Sequence, residues 1–100
     1  MYKRQQLGIT VENLTDQLVE RYGYEGLSGV IITRVEPGSI ADLHGIRPGA
    51  LIMSVNRRKV KNIDDFNEAI KEATKKQKAV MFRIKQGHAT LFIVLPLPEK

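Results

Sequence analysis

The sequence predicts an α+β fold: a small antiparallel sheet curled into a partly open β-barrel, with two main helices over its openings. Three observations predict it. The chain has 100 residues, 42% of them hydrophobic, which suits one compact domain with a single core. Short β-branched runs separate the helical patterns. Most neighbouring runs are joined by sequences typical of hairpin turns.

The first third of the chain predicts two strands with a short helix between them. Leu7–Val11 has the alternating, β-branched pattern of a strand. Thr15 is placed to cap the helix, and Gly23 supplies a left-handed residue that ends it. Val30–Glu36 is the second strand, and the Pro-Gly pair at 37–38 ends it.

The middle of the chain predicts a short helix, a strand and a hairpin. Ser39 can cap a helix over Ile40–His44, with Gly45 as its terminator. Leu51–Val55 has the composition of a buried strand, and Asn56–Lys59 is typical of the tip of a small hairpin.

The clearest helix is predicted over Ile63–Ala73. Apolar residues recur there in a helical pattern that gives one apolar face, and Asn62 can cap the first turn. Beyond this helix, Val80–Lys85 alternates apolar and polar residues, and residues 86–89 can reverse the chain into Leu91–Leu95. The chain therefore ends in a predicted hairpin.

Composition excludes most catalytic and cofactor chemistry. The chain has no cysteine, which excludes a thiol nucleophile and any cysteine-ligated metal. Its two histidines, His44 and His88, are too few for most metal sites. None of the serines, Ser28, Ser39 and Ser54, lies in a nucleophile elbow, and no glycine-rich phosphate loop is present. We therefore expect a domain that is not an enzyme and that holds no metal or other cofactor.

The chain is basic, with 16 Lys and Arg against 11 Asp and Glu and a net charge of +5. Two stretches, Arg57–Lys61 and Lys75–Lys78, are typical of solvated turns but leave open a contact with phosphates or an anionic surface. The longest apolar run, Leu91–Leu95, is far too short to span a bilayer. No secretory signal follows Met1–Arg4, so we expect a fragment or a mature portion if the parent protein is exported.

A glycine between two apolar residues marks a candidate binding loop at Leu7-Gly8-Ile9, after a basic lead. Such a glycine lets successive backbone N–H groups turn inward and form a concavity that accepts an anion. If the following strand lies at a sheet edge beside the Ile63 helix, an extended peptide can add to it as a new strand, with its terminal carboxylate in the concavity. A plain strand-starting glycine is the alternative interpretation.

The run from Val35 to Asn56 resembles the central signature of PDZ domains: a strand, a Pro-Gly-Ser turn, a short helix closed by glycine, and a strand ending in Val-Asn. The element order is similar to the permuted arrangement of bacterial proteases. It most resembles the second, carboxy-terminal PDZ domain of a chlamydial-type HtrA/DegP serine protease. The resemblance covers residues 4–96, which leaves 1–3 and 97–100 as terminal extensions.

The chain departs from the family pattern at two places. Many PDZ domains have Gly-Asp where this chain has Gly49-Ala50, and a glycine where it has Arg57. Without that glycine, a tight primed turn after Val55-Asn56 is less favourable.

The resemblance also implies a peptide site. The loop would bind a terminal carboxylate that the basic lead steers toward it, and the strand after the loop would receive the peptide. The long helix would face the groove from one stripe of residues, with Phe66 turned toward the core. The implied peptide-binding residues are Arg4, Leu7, Gly8, Ile9, Thr10, Val11, Ile63, Asn67 and Ile70.

The function that the resemblance implies is a non-catalytic, peptide-binding module of an exported, periplasmic HtrA-like serine protease and chaperone. Its partners would be carboxy-terminal or extended segments of unfolded protein substrates, and other domains or subunits of the parent protease. Two alternatives stay open. The domain could bridge subunits of the protease oligomer without binding peptide. It could also bind an anionic surface or, less favoured by the composition, nucleic acid through its basic stretches.

Overall fold

The computed structural model, which describes residues 7–76 and 78–96, consists of one open antiparallel sheet and three helices within those residues. The strand order is β1-β2-β3-β5-β6, with β4 paired to β3, and no ladder joins β1 to β6 in the described ranges. The predicted α+β, partly open architecture is therefore confirmed. The elements are β1 (Ile9–Asn13), α1 (Asp16–Tyr22), β2 (Val30–Val35), α2 (Ile40–Leu43), β3 (Leu51–Val55), β4 (Arg58–Lys59), α3 (Ile63–Lys76), β5 (Ala79–Gln86) and β6 (Ala89–Pro96).

Buried side chains form one cluster on each face of the sheet, because successive residues of a strand point to opposite faces. The larger cluster lies under α3 and includes Phe66, whose ring centroid lies 6.1 Å from that of Phe82 on β5. The smaller cluster consists of Tyr24, Ile31 and Leu51, against which the partly buried Leu18 of α1 packs. The helices α3 and α1 therefore cover opposite faces of the sheet.

The predicted helix caps are confirmed. The Thr15 hydroxyl accepts from the Leu18 N–H (3.2 Å), and Gly23 ends α1 in the left-handed region at φ 75°. The Ser39 hydroxyl accepts from the Asp42 N–H in the same way (3.2 Å). These contacts satisfy backbone groups that a helix end otherwise leaves unpaired, and so fix where α1 and α2 begin.

Several boundaries differ from the prediction. The first strand begins at Ile9 rather than Leu7 because the Leu7-Gly8 pair forms a turn, and it runs on to Asn13. The long helix continues past Ala73 to Lys76, where two lysines in its last turn offset the negative end of the helix dipole. The final hairpin closes through a two-residue turn at Gly87-His88, so both of its strands are longer than expected.

The turn between β3 and β4 keeps a primed geometry although it lacks the glycine. Asn56 and Arg57 both have positive φ, 52° and 70°. Asparagine tolerates the left-handed region. Asn56 also makes two hydrogen bonds with Met81 of β5: its N–H donates to the Met81 carbonyl (2.7 Å), and its side-chain oxygen accepts from the Met81 N–H (2.8 Å). The bridge to β5 therefore fixes a turn that Arg57 alone disfavours.

Tyr24 ties the small cluster to two other segments. Its hydroxyl donates toward the Gly49 carbonyl, with the Lys85 carbonyl of β5 a further 3.2 Å neighbour. Burial, reinforced by the nearby Tyr22, raises the pKa of Tyr24 above its ordinary value. Because the folded-state pKa is the higher one, the associated stability is present below about pH 10 and is lost as the pH rises through the folded-state pKa.

Replacing Tyr24 with phenylalanine is expected to lower the free energy of unfolding at pH 8 by about 1–2 kcal/mol, because the hydroxyl contacts are lost. The variant should also lose less stability than the unmodified chain between pH 9 and 11, since it has no buried phenol. Urea unfolding of both proteins across this pH range measures the difference. Lysines also titrate in this range, but their contribution is the same in both proteins and cancels in the comparison. Parallel losses in the two proteins would contradict the assignment.

Candidate functional site

The candidate site is the edge of the sheet formed by β1, and it starts from the turn at Leu7-Gly8. The Leu7 carbonyl accepts from the Ala41 N–H (3.1 Å), and the Gly8 carbonyl accepts from the Glu36 N–H (2.7 Å). All peptide bonds in the described ranges are trans, so the N–H of each unit points opposite to its carbonyl. The N–H groups of Gly8 and Ile9 are therefore both directed away from the 36–41 segment.

Gly8 is required by space as well as by conformation. It lies at φ 83°, in the left-handed region that favours glycine. A Cβ there would overlap the Cβ and hydroxyl of Ser39, the residue that caps α2. The turn therefore depends on a close approach between Gly8 and the start of α2, a contact that adds a second role to Ser39.

The main chain of β1 alternates between the sheet and the open edge. Because the Gly8–Glu36 bond spans the Ile9–Val35 pair, that pair is of the non-hydrogen-bonded kind, and the N–H and C=O of Ile9 point away from β2. The register shift after Thr10 places the extra residue, Thr33, in β2. The alternation in β1 is thus unbroken, and Val11 repeats the orientation of Ile9.

The other wall of the edge is α3, which is tied to the end of β1. The Asn13 side-chain oxygen accepts from the Ile63 N–H at 2.8 Å, and Asn62 accepts from the Asp65 N–H at 2.9 Å. These two contacts cap the first turn of α3, but only the first crosses to the sheet. Asn13, which the sequence analysis overlooked, therefore sets the distance between β1 and α3 at this end.

The structure places the predicted site residues that it describes on two elements in contact with each other, the β1 edge and α3. Thr10 differs from its neighbours: its carbonyl accepts from the Thr33 hydroxyl (3.3 Å) on the β2 side, so only its exposed side chain lies free of the sheet. On α3, Ile63 is half-buried, Asn67 is exposed and Ile70 is buried, while Phe66 lies in the core as expected. Arg4 lies outside the described residues. Buried at the edge are Leu7, Gly8, Ile9 and Val11.

Some residues of the two basic stretches are accounted for by contacts with α3 or by their position in it. Arg58 reaches two carboxylates of α3, Glu68 (3.4 Å) and Glu72 (3.5 Å), through exposed ion pairs. Lys75 and Lys76 lie in the last turn of α3. In residues 7–76 and 78–96, no group of three or more histidine, aspartate or glutamate side chains is placed to hold a metal ion. No helix of the described portion is long and apolar enough to cross a bilayer.

Within the residues that the structure describes, the fold and the site define a small α+β domain in which the β1 edge, entered through a glycine turn, pairs with no further strand and lies beside a helix. The sequence profile of the PDZ domain family matches residues 1–85 of the chain. The chain belongs to the PDZ domain family.

Among its relatives are proteins named probable periplasmic serine endoprotease DegP-like. The one from Chlamydia pneumoniae is 39% identical over 96% of this chain, and the one from Chlamydia muridarum is 34% identical over 95% of it. The chain spans 19% of the length of each of these relatives. It is therefore similar to one part of those proteins.

Solved structures share the fold. The HtrA3 PDZ domain bound to a phage-derived ligand (FGRWV) superimposes with a TM-score of 0.76 at 24% identity, covering 92% of this chain and 83% of that one. The HtrA-type protease AlgW with a decapeptide gives a TM-score of 0.73 at 16% identity, covering 94% and 29% respectively. The predicted PDZ-like architecture of the HtrA type is confirmed.

Gly8→Ala is expected to destabilise the domain more than a matched glycine substitution. Gly45 has nearly the same φ, 85°, but a Cβ there would meet nothing within 4 Å. Gly45→Ala should cost about 1–2 kcal/mol of unfolding free energy for the left-handed conformation alone. Gly8→Ala should cost a further ~1–3 kcal/mol because Ser39 must move. Urea unfolding measures both variants, and equal costs would show that the Ser39 contact is unimportant.

Proposed function

We propose that this domain binds the carboxy-terminal end of an extended polypeptide by adding it as a strand beside β1. The observation that carries the proposal is the orientation of five main-chain groups. The N–H groups of Gly8 and Ile9 point out of the turn, where they suit a carboxylate. The outward carbonyl of Ile9 and the outward groups of Val11 suit a strand ladder.

The side chains at the edge support an apolar last residue in the ligand. Leu7, Ile9 and Ile70 belong to the large buried cluster, and Ile63 packs against it as a half-buried side chain. A pocket between β1 and α3 would therefore have hydrocarbon walls, while the exposed Asn67 would border it with a polar group. The ligand of the HtrA3 PDZ domain, FGRWV, ends in such a residue. The residues proposed to contact peptide are Arg4, Leu7, Gly8, Ile9, Thr10, Val11, Ile63, Asn67 and Ile70.

The names of the relatives support a further proposal, that residues 4–96 form one domain of a periplasmic DegP-like serine endoprotease. It would be a non-catalytic module there, with the catalytic domain elsewhere in the parent protein. The ligands would be carboxy-terminal or extended segments of unfolded substrate proteins. A single strand of peptide buries less surface than a standard protein interface, so affinities in the micromolar range or weaker are expected.

Carboxylate capture is tested with a free-acid peptide ending in an apolar residue and its amidated twin. The free acid should bind at least about tenfold more tightly, because charge-assisted hydrogen bonds to N–H groups are lost on amidation. Calorimetric titration gives both affinities, and the amide resonances of Gly8 and Ile9 should shift with the free acid. Equal binding of the twins would refute the proposal.

A second test asks whether Asn13 positions the groove. Asn13→Ala and Asn62→Ala each remove one cap of α3, so each should cost about 0.5–2 kcal/mol of stability. Only Asn13→Ala also severs α3 from β1, and it should weaken free-acid peptide binding by a larger factor than Asn62→Ala does. Unfolding and binding measured on both variants separate the two effects. Equal losses of affinity would mean that Asn13 acts through helix stability alone.

A further inference from the structure

A second concave surface lies on the face of the sheet opposite α3. It is a cleft of about 580 Å³ between the loop at 26–28 and strands β3, β5 and β6. Leu27, Met53, Met81 and Phe92 supply its apolar lining. Leu27 and Met53 also pack against the small buried cluster, so the cleft is continuous with the packed interior under α1. We call this surface the outer cleft.

The apolar side of the outer cleft is unusually exposed. Phe92 on β6 is 65% exposed, and its neighbour on the same strand face, Val94, is 56% exposed. Single exposed apolar residues need no explanation, but a cleft that joins a phenylalanine to two methionines is a surface suited to contact with another molecule. Met53 lies at the register shift between β3 and β5, an irregularity that often re-aims a side chain.

The polar side of the outer cleft carries charge of one sign. Arg57, Lys59 and Arg83 line it, and no aspartate or glutamate does. In the described part of the chain the ion pairs are made by other residues, so these three cations have no carboxylate partner there. The Arg83 guanidinium lies 5.9 Å from the centroid of the Phe92 ring, which holds it against the apolar lining.

We infer that the outer cleft is a second binding site, which takes an acidic polypeptide segment with apolar side chains between its carboxylates. Charge complementarity selects the carboxylates, and the exposed hydrocarbon selects the apolar side chains. The inference does not depend on the proposed groove at β1, because it uses the other face of the sheet and other strands. The ligand needs no free carboxy terminus, because the proposed contacts of the outer cleft are made by side chains and not by backbone N–H groups.

A nucleic acid is the less favoured ligand of this surface. Phe92 is the one aromatic residue among the described residues of the lining. Proteins that bind single strands use several aromatic side chains, on which successive bases stack. Two thioethers and a leucine offer nothing to a phosphate backbone, but they match apolar side chains. The arrangement of cations around hydrocarbon therefore favours a polypeptide.

The test uses two acetylated and amidated hexapeptides, one with four glutamates flanking a Leu-Phe pair and one with four lysines in their place. The chain has three methionines, two of them in the cleft, so ¹³C-methyl methionine labelling gives a sparse and direct report. At low salt the acidic peptide should shift the Met53 and Met81 methyl signals saturably, while the amide of Ile9 stays in place. The lysine peptide should shift none of them.

Variants assign the effect. Arg83→Glu should weaken binding of the acidic peptide about tenfold, because an attractive contact becomes repulsive and the contact with Phe92 is lost. Lys71→Glu makes the same charge change on the exposed surface of α3 and should leave the affinity within about twofold. Arg83→Gln, a milder change, should give an intermediate affinity and guards against misfolding of the glutamate variant.

Several results would overturn the inference: no saturable methyl shift at millimolar peptide, equal shifts with the lysine peptide, or shifts centred on Ile9. Tighter binding of an oligothymidylate at the same methyl groups would replace the polypeptide with nucleic acid. Shifts centred on Ile9 would show that a peptide without a free carboxylate binds at β1, whereas the other outcomes leave the free-acid and amide comparison there unaffected. The two sites therefore stand or fail separately.

Discussion

The structure of the candidate site depends on the direction of two peptide planes. The Leu7 carbonyl accepts from an N–H group in α2, and the Gly8 carbonyl accepts from one at the end of β2. Because the peptide bonds are trans, the N–H groups of Gly8 and Ile9 point the opposite way. This orientation exists only while Gly8 can approach Ser39, where a Cβ has no room. Ser39 thus has two functions, since the hydroxyl that caps α2 also fixes how closely the turn approaches that helix.

An exposed sheet edge must be kept from pairing with the wrong strand, and β1 is restricted on two sides. The helix α3 lies beside it, fixed at one end by Asn13, so an incoming strand must fit a slot rather than a free edge. The exposed Glu12 adds a charge to the outer part of the strand. If β1 binds peptide as proposed, a short edge restricted in this way would accept one strand in a defined orientation and would limit aggregation.

The order of elements was predictable because residues close together in the sequence determine it. The signals are the caps at Thr15 and Ser39, the glycine that ends α1 at Gly23, and the apolar periodicity of α3. The boundary of β1 was not, because the Leu7-Gly8 turn is defined by hydrogen bonds to residues about thirty positions away. The link from Asn13 to α3 spans fifty positions and leaves no local signal. The primed turn at Asn56-Arg57 persists without glycine because Asn56 is held by β5, another contact that only the folded chain provides.

The two proposed sites use different parts of one sheet, and the sheet itself gives a reason for them to act independently. The groove uses β1 and one face, whereas the outer cleft uses β3, β5 and β6 on the opposite face. Between them, β2 pairs with β3 at Val30–Ile52 and Ile31–Leu51, and all four residues are buried. Coupling requires an element with two packed arrangements that both ligands bias. A close-packed strand pair offers one arrangement, so a segment held in the cleft would leave the groove free to take a second chain, and the domain could hold two polypeptides at once.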